Sequence, residues 1–316
     1  MSSLLGKICL VTGASRGIGK GIAVQLGEAG ATVYITGRSS SAEASVVGGS
    51  LKETATEIDA RGGKGIAVVC DHSNDEEVKA LFTRIKQDHG RLDLLVNNAY
   101  AAVTGIFEKI KSGKKFWEYE EDPGQWWDVV NQVGLRNHYI CSTYAAQMMC
   151  ERKEGIIINI SSPGGLRYLF NVAYGVGKAA VDKMSADMAM ELKGVGVTCL
   201  TLYPGAVVTE NIEHILATEK SKVSKAFMNG ESCEFSGKAV VALASDSNII
   251  NKTGQICMCA EIAQEYGFKD IDGTQKASFR QVNYLLDYAG YSRLAAWVPS
   301  FIKVPRFIIA MATSRF

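Results

Sequence analysis

Short continuous apolar runs recur along the chain: Ile8-Cys9-Leu10-Val11, Ala31 to Gly37, Gly65 to Cys70, Leu92 to Val96, Gly155 to Ile160 and Val197 to Leu202. Runs of this kind, apolar without alternation, suit strands buried on both faces, as in a parallel sheet. Between successive runs lies enough chain for a helix, so strands and helices alternate and the crossovers are expected to be right-handed. One helix is expected from Gly17 to Ala29 and another over Asp128 to Arg136. Lys109 to Lys115 is basic and turn-rich and reads as a solvated surface loop. Phe116, Trp117, Trp126 and Trp127 flank the acidic run Glu118 to Asp122, where such aromatics pack under a loop or line an entrance. No internal repeat is visible beyond the strand and helix rhythm.

The first run leads into Thr12-Gly13-Ala14-Ser15-Arg16-Gly17-Ile18-Gly19. Glycines after a buried strand let the backbone turn sharply and approach a diphosphate, and the helix that follows aims its unpaired N–H groups at that anion. The spacing is G-x-x-x-G-x-G; the dinucleotide fingerprint G-x-G-x-x-G is absent. At the end of the second run stands Arg38, with no carboxylate to accept from a ribose hydroxyl. With Arg16 it can pair with a 2′-phosphate, so the expected cofactor is NADP(H).

Residues 12–19 resemble the cofactor motif of the short-chain dehydrogenases/reductases, and further motifs of that family follow in order. The resemblance implies that Gly13, Ser15, Arg16, Gly17, Ile18 and Gly19 meet the cofactor and that Asp71 meets the adenine edge, although Asp71 suits a helix cap equally well. Asn97-Asn98-Ala99 matches the family motif after the fourth strand and adds Asn97 and Asn98 to the cofactor set, while Tyr100 stands where the family has glycine. Pro204, Gly205, Val207 and Thr209 match a later element that meets the nicotinamide amide and the diphosphate.

Tyr174-Gly175-Val176-Gly177-Lys178 places Tyr174 and Lys178 on one helix face. A tyrosine ordinarily titrates near 10, so acid–base work at neutral pH calls for a nearby positive charge such as Lys178. The resemblance makes Tyr174 the proton donor in carbonyl reduction and gives Lys178 a hold on the ribose hydroxyls as well. Ser162, with Gly165 three residues on, is the preferred serine for the substrate oxygen, and Ser161 with Gly164 offers the same pattern. One family residue is missing: aligned on Trp127, the usual active-site asparagine falls on Gly134. Asn131, a turn upstream, or a water in the space left by the glycine, is expected to replace it.

The chain has 316 residues and is 47% hydrophobic, enough for a full core. Its 34 basic and 33 acidic residues show no long run of one sign, which argues against a nucleic-acid surface. Eight cysteines include no C-x-x-C, and Cys257-Met258-Cys259 has the wrong spacing for zinc, so no metal is expected and the thiols read as buried in a reducing compartment. The N-terminus before the first run is too short for a signal peptide, which suggests a protein in the cytosol or facing it.

The expected architecture is one doubly wound, Rossmann-type α/β domain over 1–261, followed by an apolar C-terminal extension over 262–316. Residues 210–236 are expected to cap the substrate pocket. They carry no evident anchor for a carboxylate or phosphate, and the resemblance implies a hydrophobic carbonyl substrate such as a steroid, retinoid or xenobiotic ketone. The alternative is a low-turnover cofactor-binding scaffold or regulator, for which Gly134 speaks.

The tail from Tyr291 to Ala312 is apolar, but Pro299, Lys303, Pro305 and Arg306 leave no run of the roughly 20 residues a membrane span needs. Trp297, Phe301 and Phe307 beside these cations suit a segment lying at a lipid interface, with packing on another subunit or over the active site as the alternative. Peripheral attachment to the cytosolic face of the endoplasmic reticulum is expected, with the cytoplasm as the alternative, and a homo-oligomer.

Overall fold

A computed structural model describes residues 3–38, 48–218, 227 and 229–313. The first half runs β1 (Ile8–Val11), α1 (Gly17–Glu28), β2 (Thr32–Gly37), α2 (Leu51–Ala60), β3 (Lys64–Val69), α3 (Asp75–His89) and β4 (Leu94–Asn97). After α4 (Val103–Ser112) and α5 (Pro123–Asn131) come α6 (Asn137–Arg152), β5 (Gly155–Ile160), α7 (Val172–Leu192), β6 (Val197–Tyr203), α8 (Glu210–Thr218) and β7 (Ile256–Met258). All strand pairs are parallel and the order is β3-β2-β1-β4-β5-β6-β7. Succession reverses between β1 and β4, which opens a crevice at their carboxyl ends. This is the expected doubly wound α/β sheet, with one strand more than the apolar runs showed.

In the inner strands the continuous runs reflect cover on both faces, whereas β3, at the sheet edge, is exposed or half-buried along its length. In β1, Cys9 and Val11 face one core with Ile22 and Leu26 of α1 and Phe235 and Leu243 of the helix Cys233–Ala244. Ile8 and Leu10 face the other, with Val78 and Ile85 of α3 and Cys141 and Met149 of α6. Every β1 position is therefore buried, and a polar residue at any of them would lose its water without a partner. The helix α1 crosses Cys233–Ala244 at backbone contact: a Cβ on Gly21 would stand 2.2 Å from Cys233, and one on Gly237 would stand 2.4 Å from the Gly21 carbonyl oxygen.

Two local expectations need correction. The continuous helix expected over Asp128 to Arg136 is broken: α5 ends at Asn131, and Val133 (φ −110°, ψ 99°) and Gly134 (φ 140°, ψ −18°) leave helical geometry before α6 begins. The surface loop expected at Lys109 to Lys115 is half helix, because α4 continues to Ser112 and ends on a left-handed Gly113 (φ 66°).

The core also continues past residue 261. Ile262 and Ala263 are buried in it, and Phe268 meets Phe235 edge to face at 5.6 Å. Beyond them the chain folds back as a strap. Arg280 pairs with Glu261 at 3.0 Å, and the backbones of Val282 and Val304 donate to Ile302 (3.0 Å) and Arg280 (2.7 Å). No helix among the described residues is long and apolar enough to cross a membrane.

Candidate active site

The turn after β1 is tied to the end of β4. Thr12 Oγ1 accepts from the backbone N–H groups of Asn98 (2.9 Å) and Ala99 (3.0 Å), and Asn98 Nδ2 donates to the carbonyls of Thr12 and Gly13, both at 2.9 Å. Packing that close requires glycine. A Cβ on Gly13 (φ 68°) would stand 2.7 Å from Ala99 Cα, and one on Gly19 would stand 2.3 Å from the Gly13 carbonyl oxygen. At the N-terminus of α1 the Gly17 N–H donates to the Glu210 carboxylate at 2.9 Å, so the positive end of that helix already holds an anion.

Asp71 is not the α3 cap; Asn74 is, accepting from the Glu76 N–H at 3.1 Å. Partial burial pushes the Asp71 carboxyl up, but the Ser73 N–H and hydroxyl and the nearby charge of Arg38 outweigh it and hold the group below its usual range. Arg38 is exposed at the end of β2, on the rim of the cleft.

The chemistry gathers where β5 meets α7. Ser162 Oγ lies 2.6 Å from Tyr174 Oη and accepts the Gly164 N–H at 3.0 Å. Ser161 is buried and turns away, donating to the Lys178 carbonyl at 3.3 Å. Of the two serines Ser162 faces the tyrosine. Asn171 caps α7 by accepting the Tyr174 N–H at 3.0 Å, which fixes the turn that presents the phenol. Burial raises the Tyr174 phenol, with the Ser162 hydrogen bond opposing. Burial lowers the Lys178 ammonium to about 8, with Asp182 opposing. Lys178 Nζ donates to the Ile160 carbonyl at 3.4 Å. Burial also raises Asp182 to about 6, against the Tyr203 hydroxyl, Ser161 and Lys178.

These groups open onto one cleft of about 2210 Å³ at the carboxyl end of the sheet. Gly13, Ser15, Arg16, Gly17, Ile18, Gly19, Arg38, Asp71, Asn98, Ser162, Tyr174, Lys178, Pro204, Gly205, Val207 and Thr209 all line it. Asn97 does not. Its amide is fully buried and donates to Ser142 Oγ (2.9 Å) and Asn159 Oδ1 (2.8 Å), so its side chain braces the sheet interior. Asn131 is likewise turned from the cleft, with Nδ2 on the Ala173 carbonyl at 3.4 Å and Oδ1 against Gly177.

Asn211, Ile212, Phe227 and Gly230 meet the expectation of a cap over 210–236, whose residues 219–226 and 228 lie outside the described residues. The sequence reading missed Glu210 and Glu231. Burial raises Glu231 to about 7 against the opposing hydrogen bond from the Gly205 N–H at 2.8 Å, which ties it to the Pro204–Gly205 turn. Glu210 directly follows Thr209 and could have been weighed with that motif; no local pattern marks Glu231. Missed too was a wall from the strap, including Phe279, Tyr284 and Leu285.

Residues 7–220 match the short chain dehydrogenase family. The chain is 46% identical over 320 residues to human dehydrogenase/reductase SDR family member 1, covering 98% of each. It is 33% identical to a 3beta-hydroxysteroid dehydrogenase of Mediterraneibacter gnavus, over 71% of this chain and 75% of the relative. Among solved structures it is similar to a protein of Beutenbergia cavernae described as an NAD(P)-dependent gluconate 5-dehydrogenase with NADP bound at low occupancy: 29% identity, TM-score 0.66, covering 81% of this chain and 96% of that one.

Proposed function

The chain belongs to the short-chain dehydrogenase family and is an oxidoreductase of the alcohol/carbonyl class, and from that premise we propose that it reduces hydrophobic ketones or aldehydes with NADPH. The observation that carries the reading is the 2.6 Å contact of Ser162 with Tyr174 beside a buried Lys178, within the cleft that holds the glycine turn. The residues present suit the cofactor: Gly13 and Gly19 leave backbone where a side chain would block approach, and the Gly17 N–H already holds a carboxylate.

Bound NADPH supplies the hydride that reduces the carbonyl carbon. Tyr174, whose phenol is kept protonated at neutral pH by burial, gives its proton to the carbonyl oxygen. Ser162 Oγ, within reach of the same point, holds that oxygen as charge develops on it. Lys178 offsets the charge left on the phenolate. Arg38, with no carboxylate at the end of β2, supports choice of NADPH over NADH, and Phe107, Leu169, Phe170 and Leu285 on the cleft wall support an apolar substrate. The relative named as a 3beta-hydroxysteroid dehydrogenase favours the steroid class. The exposed aromatics of the C-terminal strap support a place on the cytosolic face of the endoplasmic reticulum.

The test is NADPH consumption with a panel of steroid and aryl ketones. Tyr174→Phe should lower turnover by about 10²-fold or more. NADPH should bind more tightly than NADH, with Arg38→Asp narrowing the gap. A Tyr174→Phe protein with full turnover, or equal affinity for the two cofactors, overturns the corresponding half of the reading.

A further inference from the structure

Lys178 carries its charge deep in the site. Its ammonium is buried, and among the described residues it donates one hydrogen bond, the long one to the Ile160 carbonyl. What faces it instead is an aromatic ring: Nζ lies 4.6 Å from the centre of Tyr100, closer than the 5.9 Å to Tyr174. The other groups around it are Tyr174 and Asp182 on its own helix, with Tyr203 of β6 bound to Asp182, and His138 of α6. His138 is buried and kept neutral, lowered to about 3 by burial and then by the Lys178 charge.

Tyr100 can lie there because residue 134 is glycine. A Cβ at 134 would stand 2.3 Å from Tyr100 Cδ2 and 2.6 Å from Cε2, so the ring covers the Gly134 Cα. The left-handed φ of 140° at 134 belongs to the same break between α5 and α6. The Tyr100 hydroxyl is buried without a hydrogen-bond partner among the described residues, so the ring is not held there for its polar end.

We propose that Tyr100 is a positioning residue for the catalytic lysine: its ring face, admitted by Gly134, keeps the Lys178 side chain charged and directed beneath Tyr174. A π face attracts a desolvated ammonium and not an amine. The ring therefore opposes the burial that favours the neutral form, and so preserves the positive charge that Tyr174 uses when it becomes phenolate. The proposal rests on the Ser162, Tyr174 and Lys178 reading above.

The experiment follows Lys178 itself, in the cofactor-free protein, by ¹³C NMR of ε-labelled lysine, with the resonance assigned through Lys178→Arg. Tyr100→Phe should keep the titration midpoint. Phenylalanines with increasing ring fluorination at position 100 weaken the π face at nearly constant shape, and should lower the midpoint stepwise by about one pH unit across the series, a tenfold change in the ammonium-to-amine ratio. Gly134→Ala, which displaces the ring, should lower it too. A midpoint indifferent to fluorination overturns the proposal, as does a Tyr100→Phe shift as large as that of the fully fluorinated ring, which would assign the effect to the hydroxyl. Because the titration needs no turnover, failure of the catalytic reading shows separately, as an active Tyr174→Phe.

Discussion

Glu210 shows how one side chain can sit on a site it does not serve. Its carboxylate accepts the first N–H of α1, the position a diphosphate needs, and it would face the diphosphate with like charge. Glu210→Gln removes that charge and should tighten NADPH by about fivefold, worth about 1 kcal/mol for a partly exposed pair. Titration calorimetry at low and moderate salt checks this; an unchanged or weaker affinity would make Glu210 a support of the Thr209 loop. At this scale the sequence was legible where a side chain's role follows from its neighbours in the chain. The pair Tyr174 and Lys178 is four residues apart on one helix, so their shared face could be read directly. Asn97 and Asn98 could not be told apart, because strand alternation sends one into the sheet interior and the other to the Thr12 turn, and the register decides which. Ser161 and Ser162 posed the same ambiguity for the same reason.

Among the elements, the apolar runs revealed the inner strands, covered on both faces, and also β3, an edge strand that is exposed or half-buried along its length. β7 escaped because Ile256–Met258 is only three residues long. The break at 132–136 escaped because nothing in Asp128 to Arg136 forbids a helix; it coincides with the Tyr100 ring packed on Gly134, a contact distant in sequence that local propensity does not contain. The crossing of α1 with Cys233–Ala244 is the contact on which the nucleotide turn leans. Gly237→Ala places a methyl 2.4 Å from the Gly21 carbonyl oxygen and close to Gln25, so the helices must part. The expected cost is about 1–3 kcal/mol, seen as a fall in Tm of a few degrees, together with weaker NADPH binding as the α1 N-terminus moves. Loss of Tm at constant affinity would show that the turn is held by Asn98 and Thr12 alone.

For the whole molecule the unsettled piece is the strap. Its inner side closes the cleft through Phe279, Tyr284 and Leu285; Arg280 on Glu261 ties it to the domain, and the Val282 and Val304 backbone pairs hold it together as a folded strap. Its outer side is another matter: Trp297 is 85% exposed, Phe301 77% and Met311 74%, with Leu294 and Phe307 beside them. Large apolar side chains left this exposed within one short stretch of chain are suited to meeting lipid or protein. Aromatics at the boundary, with Arg293 exposed and a length too short to span, fit a segment lying in a bilayer surface. The two sides make separable predictions. A chain ending at Ala296 removes part of the outer edge and also the backbone partners of Arg280 and Val282, whereas Trp297→Ser with Phe301→Ser changes the exposed edge and leaves those pairs intact. The double substitution should abolish flotation with liposomes of endoplasmic reticulum composition while keeping NADPH-dependent turnover. The truncation should lose both, because it loosens the wall made by Tyr284 and Leu285. If the full chain does not float, or if the double substitution instead breaks an oligomer measured by sedimentation, the outer edge is a subunit contact and the membrane proposal falls.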